Sequence, residues 1–324
     1  MKILVYNSGG GLGDSIQIFN LINSLISKFG SNNIYYLSAH KNHFNHALSD
    51  YNLRPKELKT NIIYFGFRWW HLLVSKKKIL KNNSLLKFDL IIDIQSKLRN
   101  TIILKQFPSN KFYSSTFNFK FCSEKKDYKP TKFENINILK NIELLTKNKI
   151  PQIKFNLNLI DLKYFQEAKR LLPDNNYIGF SMTQGNVYRK KSWPIDKFLN
   201  IAGLVSKKNK KPVFFVEKSN QKLINKIKNN INNALLPEME SSLSGPPLVT
   251  ALSSRLEKAI SIDNGIMHMM SLAEIPMIIL FGPTNSKKFS PKLKNIEILD
   301  SKNLYQSDDI TKITEDDVMR VLNI

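Results

Sequence analysis

Cysteine, long apolar runs and acidic residues are all scarce in this chain of 324 residues. Its single cysteine, Cys122, excludes a disulfide framework and is typical of a reducing compartment. No apolar stretch approaches the ~18 residues of a membrane-spanning helix, and the short apolar run after the N-terminus is too brief for the core of a signal peptide. The sequence therefore predicts a soluble, cytoplasmic protein.

The scarcity of acidic residues leaves a large positive charge, because 49 Lys and Arg stand against 26 Asp and Glu, a formal +23. Such a surface favours polyanions, which include nucleic acids, anionic membranes and phosphorylated substrates. Much of the excess is lysine scattered among asparagine and isoleucine, a pattern typical of an AT-rich genome. The sequence contains none of the common nucleic-acid motifs, and we expect no nucleic-acid partner.

Short β-rich runs alternate with helical patterns, which is typical of parallel sheets covered by helices. The pattern predicts an α/β protein with two Rossmann-like αβα domains facing a cleft, residues 1–165 and 166–324, in which the C-terminal helix could pack back on the N-terminal domain. We read residues 111–132 as loop or irregular strand. The predicted strands are Ile3–Tyr6, Ile34–Ser38, Leu90–Ile94, Tyr177–Met182 and Pro212–Val216, and the predicted helices are Ser15–Phe29, Ile195–Lys207, Asn220–Asn230 and Glu315–Leu322.

A glycine-rich loop, residues 7–14, follows the first predicted strand and leads into a helix. No G-x-G-x-x-G register closes over its glycines, and the second strand ends in Ala39-His40 where an acidic ribose ligand would be expected. A nicotinamide or flavin site is therefore disfavoured. Two interpretations of Asp14 stay open: a carboxylate that accepts a proton from a sugar hydroxyl, and an N-cap with no further function.

The segment Ala259–Pro283 has the pattern of a strand, a tight turn, a helix and a second strand. We predict that Gly265 permits a turn closed to other residues and that the helix begins right after it. A helix N-terminus offers unpaired N–H groups and a partial positive charge to a phosphate, and His268 would aim a donor at the same anion. The alternative is an ordinary crossover with a capping Asp263 and a buried His268.

A basic loop follows the first strand of the second domain. Residues 183–186 (Thr-Gln-Gly-Asn) end that strand, and Arg189-Lys190-Lys191 leads to Trp193-Pro194 at the start of a helix. Three successive cations suit a phosphorylated leaving group. The alternative is a solvated basic loop with Trp193 in the core.

Taken together, three motifs resemble the ADP-heptose:lipopolysaccharide heptosyltransferases, glycosyltransferase family 9. They are Gly-Leu-Gly-Asp-Ser at 11–15, Lys-Ser-Trp-Pro at 191–194, and Asp-Asn-Gly-Ile-Met-His at 263–268 followed by Phe-Gly-Pro-Thr at 281–284. The resemblance spans nearly the whole chain and implies the glycosyltransferase B fold, with no metal or other cofactor. It implies that Asp14 is the general base and that Lys191 stabilises the departing diphosphate. The donor site would be lined by Thr183, Lys191, Asp263, Asn264, Gly265 and His268.

Two positions depart from the family's pattern. Asn264 stands where the family has Ser or Thr. The strand at 212–216 ends in Glu217-Lys218-Ser219, where the family often has a Gly-rich turn followed by an acidic residue near the nucleoside. Glu217 is the candidate for the ribose contact. These departures leave open a donor other than ADP-heptose.

An aromatic and basic segment, residues 65–78, combines two tryptophans with a cationic cluster. Such side chains together suit an anionic membrane interface. In the resembling family the N-terminal domain receives a lipid-linked acceptor, which implies a location at the inner face of the cytoplasmic membrane. The alternative places Trp69 and Leu73 in the core. The residues expected on the acceptor side are Gly11, Gly13, Arg68, Trp69 and Trp70.

Three function classes remain open. The first is an inverting glycosyltransferase that moves a sugar, heptose from ADP-heptose, onto a lipopolysaccharide-core or related acceptor. The second is another nucleotide-sugar glycosyltransferase or an epimerase of the same fold. The third is a non-enzymatic basic protein that binds nucleic acid or membranes. A zinc site at His40, His43 and His46 is disfavoured, because no Cys or carboxylate pattern lies nearby.

Overall fold

The computed structural model describes residues 1–60, 62–74, 87–131, 134–185, 188 and 190–324. These residues form two compact units, Met1–Leu159 and Ile160–Ile324. A polar helix at the join, Leu162–Leu171, belongs to the second unit.

In its described part, the first unit contains a parallel sheet of five strands in the order β3-β2-β1-β4-β5. The strands are β1 (Ile3–Asn7), β2 (Ile34–Ser38), β3 (Lys56–Glu57), β4 (Phe88–Asp93) and β5 (Ser109–Ser114). The helices are α1 (Leu12–Ile16), α2 (Phe19–Phe29), α3 (Leu98–Leu104) and α4 (Asn135–Thr146). In the central strand, Ile3 lies opposite Ile34 of β2 and Leu90 of β4.

The core of the first unit forms around β1, whose five residues are all buried. A parallel strand buried on both faces is a continuous apolar run rather than an alternating one, which is why Ile3–Tyr6 is readable as a strand. Leu4 and Tyr6 pack with Phe65, Ile91 and Ile103 in one apolar cluster. Each such side chain contributes roughly 1.5–3 kcal/mol when it leaves water.

The second unit repeats this architecture, and its described residues form five parallel strands in the order β10-β9-β8-β6-β7. The strands are β6 (Tyr177–Ser181), β7 (Lys211–Phe214), β8 (Lys258–Ile262), β9 (Met277–Phe281) and β10 (Ile296–Asp300). A parallel bridge between Val213 and Leu235 adds a rudimentary strand outside β7. The helices are α5 (Leu162–Leu171), α6 (Ile195–Lys207), α7 (Gln221–Asn230), α8 (Pro237–Glu240), α9 (Pro246–Ser253), α10 (Gly265–Ser271), α11 (Ser286–Phe289), α12 (Ser301–Tyr305) and α13 (Glu315–Leu322).

The C-terminal helix α13 packs in the second unit. Its Val318 and Leu322 are buried in the same cluster as Phe198 of α6 and Leu280 of β9. In addition, the indole nitrogen of Trp193 donates to the carbonyl of Ile313, just before α13, at 2.9 Å. The apolar face of α13 thus lies in the core of its own unit, and packing of this helix back on the N-terminal domain stays a prediction. Trp193 is in the core, as one interpretation of the basic loop held.

Two predicted elements differ from the structure. The stretch read as loop or irregular strand at 111–132 begins inside β5, a regular edge strand whose Phe112 and Tyr113 are buried while its first residues are not. The single helix predicted over Ser15–Phe29 is two helices, α1 and α2, with a break at Gln17–Ile18. The break between α1 and α2 falls within a continuous helical periodicity, which therefore does not show it, whereas β5 is exposed at its start and lacks a clear apolar pattern.

When the strands of each unit are numbered from its own first strand, both sheets follow the 3-2-1-4-5 order of Rossmann folds. In the second unit, the bridge at Leu235 takes the place of the third strand. The order reverses between β1 and β4 and between β6 and β8. Loops diverge at such a switch point, and ligands bind in the crevice beyond the carboxyl ends of the strands. The predicted α/β class with two Rossmann-like domains is confirmed. No helix in the described residues has the length and apolarity needed to cross a membrane.

Candidate active site

The glycine loop of the first unit lies at the switch point between β1 and β4, and Asn7 holds it. Asn7 is the last residue of β1 and is 1% exposed. Its side-chain oxygen accepts from the Gly9 N–H at 2.9 Å and from the Gln95 side chain at 2.7 Å. Its amide nitrogen donates to the carbonyl of Asp14 at 3.1 Å. One buried amide thus joins the loop, the helix start and the end of β4.

Asp14 is the third residue of α1, and Gly11 rather than Asp14 is the N-cap. The Asp14 carboxylate accepts from the Gly11 N–H at 3.2 Å, which corrects the interpretation of Asp14 as the N-cap itself. An acidic residue at this position is still favoured by the helix dipole. The side chain is half-buried, so the carboxylate is fixed by the loop without being enclosed.

Gly9 is required by the position of Asp14. A Cβ on Gly9 would lie 2.5 Å from both Cβ and Cγ of Asp14, far inside contact distance. On the next residue, Gly10, a Cβ would meet only His40 Cβ at 3.4 Å, an ordinary contact. The Asp14 side chain therefore occupies space that any side chain at position 9 would fill.

In the second unit, Asn264 caps α10 and ties it to the neighbouring strand. Its side-chain oxygen accepts from the Met267 N–H at 2.8 Å. Its amide nitrogen donates to Ser181 Oγ at 2.8 Å and to the Thr183 carbonyl at 2.9 Å. A Ser or Thr hydroxyl has one proton and could not make both donations while capping. The departure from the family's residue thus adds a contact between the ends of β6 and β8. The alternative of an ordinary crossover supposed that Asp263 caps this helix, but the cap is Asn264.

Lys191 forms an ion pair with Asp263, and both side chains are largely buried. The Lys191 N–H also donates to the Gln184 side chain at 2.8 Å, which fixes the loop that carries the ammonium group. The ammonium lies 5.8 Å from the centre of the Phe289 ring, within the range of a cation–π contact. A lysine is therefore held at the carboxyl end of β8, beside the first turn of α10.

Gly265 has an ordinary backbone conformation, since it is not among the glycines with positive φ. The prediction that it permits a turn closed to other residues is therefore wrong. A Cβ at this position would meet nothing within 4 Å, so the first helical residue borders open space. His268, in the same short helix, is buried at 6% exposure.

The edge of the second sheet carries two glutamates. Glu217 follows β7 and is exposed. Glu238 follows the bridge at Leu235, which runs parallel to β7, so both residues lie beyond the same carboxyl edge. Glu238 Oε1 is buried, and no described residue makes a hydrogen bond to it. Burial and, after it, the Glu217 carboxylate raise the pKa of Glu238 to about 7, while Lys218 opposes the shift.

Replacement of Glu238 by glutamine is expected to stabilise the protein above pH 7 and to change it little at pH 4. Its folded-state pKa lies above the unfolded value, so the folded protein binds the extra proton and loses stability as the pH rises from about 4.5 to about 7. At about 1.4 kcal/mol per pKa unit, the wild type carries a penalty on the order of 3 kcal/mol at pH 8. Urea unfolding at pH 4, 5.5 and 8 measures the free energy of unfolding of the wild type and the variant. Glu240→Gln, at an exposed position of the same helix, is the control. If both variants differed from the wild type in free energy of unfolding by the same amount at every pH, the prediction would be contradicted.

The described part of the aromatic and basic segment is anchored at Gly66 and carries exposed side chains beyond it. Gly66 has φ of 86°, and its carbonyl accepts from Arg99 at 2.7 Å. Trp69 and Trp70 are 52% and 54% exposed and Leu73 is 78% exposed, which overturns the alternative that Trp69 and Leu73 face the core. Arg68 is exposed beside them, as is Gly11 in the glycine loop, while Gly13 is half-buried.

Other predicted positions are outside the described residues or in different roles. Lys76–Lys78 of the aromatic and basic segment, and Asn186 and Arg189 of the basic loop, are not among the described residues. His43 is beside the glycine loop, with its ring nitrogen 3.1 Å from the Gly10 carbonyl, and burial lowers its pKa. Among the residues that the structure describes, no group of three or more His, Cys, Asp or Glu could hold a metal ion.

Sequence reasoning assigned no role of their own to Asn7, Gln95, Gln184 and Glu238. The first three are uncharged amides at or just after strand ends. That position was a usable signal, because side chains beyond the carboxyl ends of adjacent parallel strands lie close together. Glu238 gave a weaker signal, the short apolar run Leu235-Leu236 before Pro237.

Comparison with solved structures shows the same fold in glycosyltransferases. A family 9 glycosyltransferase from Veillonella parvula DSM 2008 matches with a TM-score of 0.69 and 16% identity over 99% of this chain and 95% of the other. The E. coli heptosyltransferase WaaC, solved with ADP, matches with 0.67 and 13% over 99% of both chains. The E. coli ADP-heptose lps heptosyltransferase II matches with 0.63 and 15% over 100% and 98%.

In sequence, no curated protein matches this chain significantly. The family model of glycosyltransferase family 9 (heptosyltransferase) matches residues 75–317, which is more than half of the chain. This match includes the basic loop, the Lys191–Asp263 pair and the cap at Asn264, and it begins after the glycine loop. The chain therefore belongs to glycosyltransferase family 9, the heptosyltransferase family.

Proposed function

We propose that this protein is an inverting glycosyltransferase that moves heptose from ADP-heptose onto a sugar of the lipopolysaccharide core or of a related lipid-linked acceptor. The observation that carries the proposal is Lys191, held by Asp263 and Gln184 at the switch point of the second sheet beside the start of α10. The E. coli enzyme WaaC, which has the same fold, was solved with ADP and with ADP-2-deoxy-2-fluoro heptose. A cation beside a helix N-terminus is well suited to bind a diphosphate.

The donor is bound along the carboxyl edge of the second sheet. Lys191 carries the positive charge for the diphosphate, and Gly265, the first residue of α10, borders open space. Thr183, Asp263 and His268 complete this part of the site. Glu217, two strand positions away from β8, accepts from the ribose hydroxyls. An ordered set of donors aimed at charge that develops on the leaving group is worth about 3 kcal/mol per donor in comparable sites.

The transfer is a single displacement. The acceptor hydroxyl gives its proton to the Asp14 carboxylate, and its oxygen forms the new bond to the anomeric carbon. The bond from that carbon to the diphosphate oxygen breaks, and ADP leaves with the electron pair, which inverts the anomeric centre. Lys191 and the helix start supply the positive charge for the leaving group, so the proposed step uses no metal.

The acceptor side is proposed at the glycine loop and the exposed aromatic segment. Gly11 and Gly13 leave room beside Asp14 for a sugar hydroxyl. Arg68, Trp69 and Trp70 are exposed together, a composition suited to an anionic membrane surface. We therefore propose a lipid-linked acceptor and peripheral contact with the inner face of the cytoplasmic membrane.

Replacement of Lys191 by glutamine is expected to weaken ADP binding by about ten- to a hundredfold. A hydrogen bond to a charged group contributes about 1.5–3 kcal/mol, and each 1.4 kcal/mol is tenfold in affinity. Isothermal titration calorimetry with ADP measures the loss. The control is Lys190→Gln, which removes the same charge from the neighbouring, exposed residue and is expected to bind ADP almost as the wild type does.

A titration of the wild type with ADP, GDP, UDP and NAD tests the donor class. ADP alone among these is expected to bind tightly, with ADP-heptose binding more tightly still. Preference for UDP or GDP would replace the donor, and binding of NAD alone would return the glycine loop to a dinucleotide site. If no nucleotide binds, the proposed function is wrong.

A further inference from the structure

A second lysine, Lys288, lies beside the Lys191–Asp263 pair. Its ammonium group is 5.0 Å from the centre of the Phe289 ring, and the ammonium group of Lys191 is 5.8 Å from the same ring centre. Both distances are within the range of a cation–π contact. The two ammonium groups are therefore no farther apart than the sum of these distances, and one aromatic side chain contacts both.

The sheet places Lys288 next to the candidate donor site. Lys288 belongs to α11, which follows β9, and Asp263 directly follows β8. Because β8 and β9 are parallel neighbours in the sheet, the segments after them leave the sheet at the same edge. Lys191 comes after β6, the neighbour of β8 on its other side. The two lysines therefore approach the end of β8 from opposite sides.

The backbone that carries Lys288 is fixed by polar contacts. Asn285 caps α11, and its side-chain oxygen accepts from the Lys288 N–H at 3.1 Å. Ser286 Oγ donates to the carboxylate of Asp300, the last residue of β10, at 2.5 Å, which ties the start of α11 to the sheet. Lys288 is half-buried, whereas Lys287 before it is exposed. The side chain of Lys288 thus extends from a fixed base and is partly covered by protein.

The charge of this group suits a ligand with more than one negative charge. Lys191 and Asp263 offset each other as an ion pair, and Lys288 gives the three side chains a net charge of +1. Two ammonium groups near one ring repel each other, and an anion between them is attracted to both. A diphosphate has two phosphoryl groups, and each ammonium group has three N–H donors for their oxygens.

The strand order indicates which phosphate Lys288 would reach. The sheet runs β9-β8-β6-β7, and Glu217, the proposed ribose contact, follows β7. Neighbouring strands are about 4.8 Å apart, so Lys288, after β9, lies at the end of the donor site opposite the ribose. In a nucleoside diphosphate, the β-phosphate is the one farther from the ribose.

We propose that Lys288 is a second cation of the donor site and binds the β-phosphate, which is bonded to the sugar that is transferred. Lys191 and Lys288 hold the diphosphate from its two sides. In the proposed transfer, the β-phosphate oxygen receives the electron pair of the broken bond, so Lys288 also offsets charge that develops on the leaving group. The inference rests on the proposed function, because it assigns Lys288 to the donor of that reaction.

The test compares ADP with AMP by isothermal titration calorimetry. Lys288→Gln is expected to lower the affinity for ADP about tenfold, as the loss of a hydrogen bond to a charged group does. Its affinity for AMP is expected to stay at the wild-type value, because AMP has no β-phosphate. Lys288→Arg keeps the charge and N–H donors and is expected to retain most of the ADP affinity. The control is Lys287→Gln, which removes the same charge from the exposed neighbour and is expected to bind both nucleotides as the wild type does.

Three results would overturn the inference while ADP binding by the wild type stands: unchanged ADP affinity in Lys288→Gln, an equal loss for ADP and AMP, or the same loss in Lys287→Gln. The melting temperature of each variant without nucleotide shows whether a loss of affinity comes from the fold. If the wild type prefers UDP or GDP, the same comparison uses that diphosphate and its monophosphate. If it binds no nucleoside diphosphate, the proposed function is wrong and this inference is wrong with it.

Discussion

Asp14→Asn is expected to lower the turnover of the proposed transfer by about 10²–10⁴-fold, the range that general base catalysis supplies. Asparagine keeps the size of the side chain and an oxygen that can accept from the Gly11 N–H, which is 3.2 Å away in the wild type. It cannot take the proton from the acceptor hydroxyl. Initial rates of ADP release from ADP-heptose, with an acceptor present, measure the effect.

The same variant is expected to bind ADP with nearly wild-type affinity, because the donor residues belong to the other unit. Asp127→Asn serves as the matched control, since Asp127 is an exposed aspartate of the same unit. Near wild-type transfer by the Asp14 variant would remove Asp14 from the role of base. Loss of both ADP binding and turnover would indicate a structural role instead.

Gly9→Ala is expected to reduce turnover by about a hundredfold, while Gly10→Ala retains most of it. The Gly9 Cβ would lie 2.5 Å from the Asp14 side chain, so the carboxylate or the loop must move, whereas the Gly10 Cβ makes one ordinary contact. A displacement near 1 Å at a reacting group can cost about 10²-fold in rate. Both variants have one added methyl group in the same loop, which makes them a closely matched pair.

The readout is kcat together with the melting temperature of each variant. A position effect on Asp14 lowers kcat for Gly9→Ala far more than for Gly10→Ala, and it leaves ADP binding unchanged in both. Equal rates for the two variants would show that the place of Asp14 does not matter to the reaction. An equal loss of melting temperature and activity in both would show that the loop is sensitive to any side chain.

Much of the fold could be predicted from the sequence where burial produces a clear pattern. The predicted bounds of α6 and α13 equal the observed ones, because each helix has an amphipathic face that packs on a sheet. The central strands were readable because both faces of a parallel strand are apolar. The half-exposed β5 and the bridge at Leu235 lack that pattern, and they were read as irregular or not at all.

The candidate site was predictable as motifs and not as contacts. Asn7 and Gln95 are 88 residues apart, and Lys191 and Asp263 are 72 apart. Only the pairing of strands brings such residues together, and a local pattern carries no record of it. The prediction about Gly265 failed for a related reason, because a glycine in sequence does not reveal whether backbone freedom or empty space is needed. The functional roles of Asp14, Lys191 and the donor residues stay predictions.

The Lys191–Asp263 pair also affects how readily ADP would be released after the proposed transfer. In the proposed reaction, a diphosphate does not meet an isolated ammonium group but competes with a carboxylate that already holds it. The contribution of Lys191 to the ADP affinity is then the difference between the free energies of these two pairings. When ADP departs, Asp263 recaptures the lysine, so no unpaired buried charge opposes its release. Asp263 would thus limit the affinity of the site for ADP and keep this product from becoming an inhibitor.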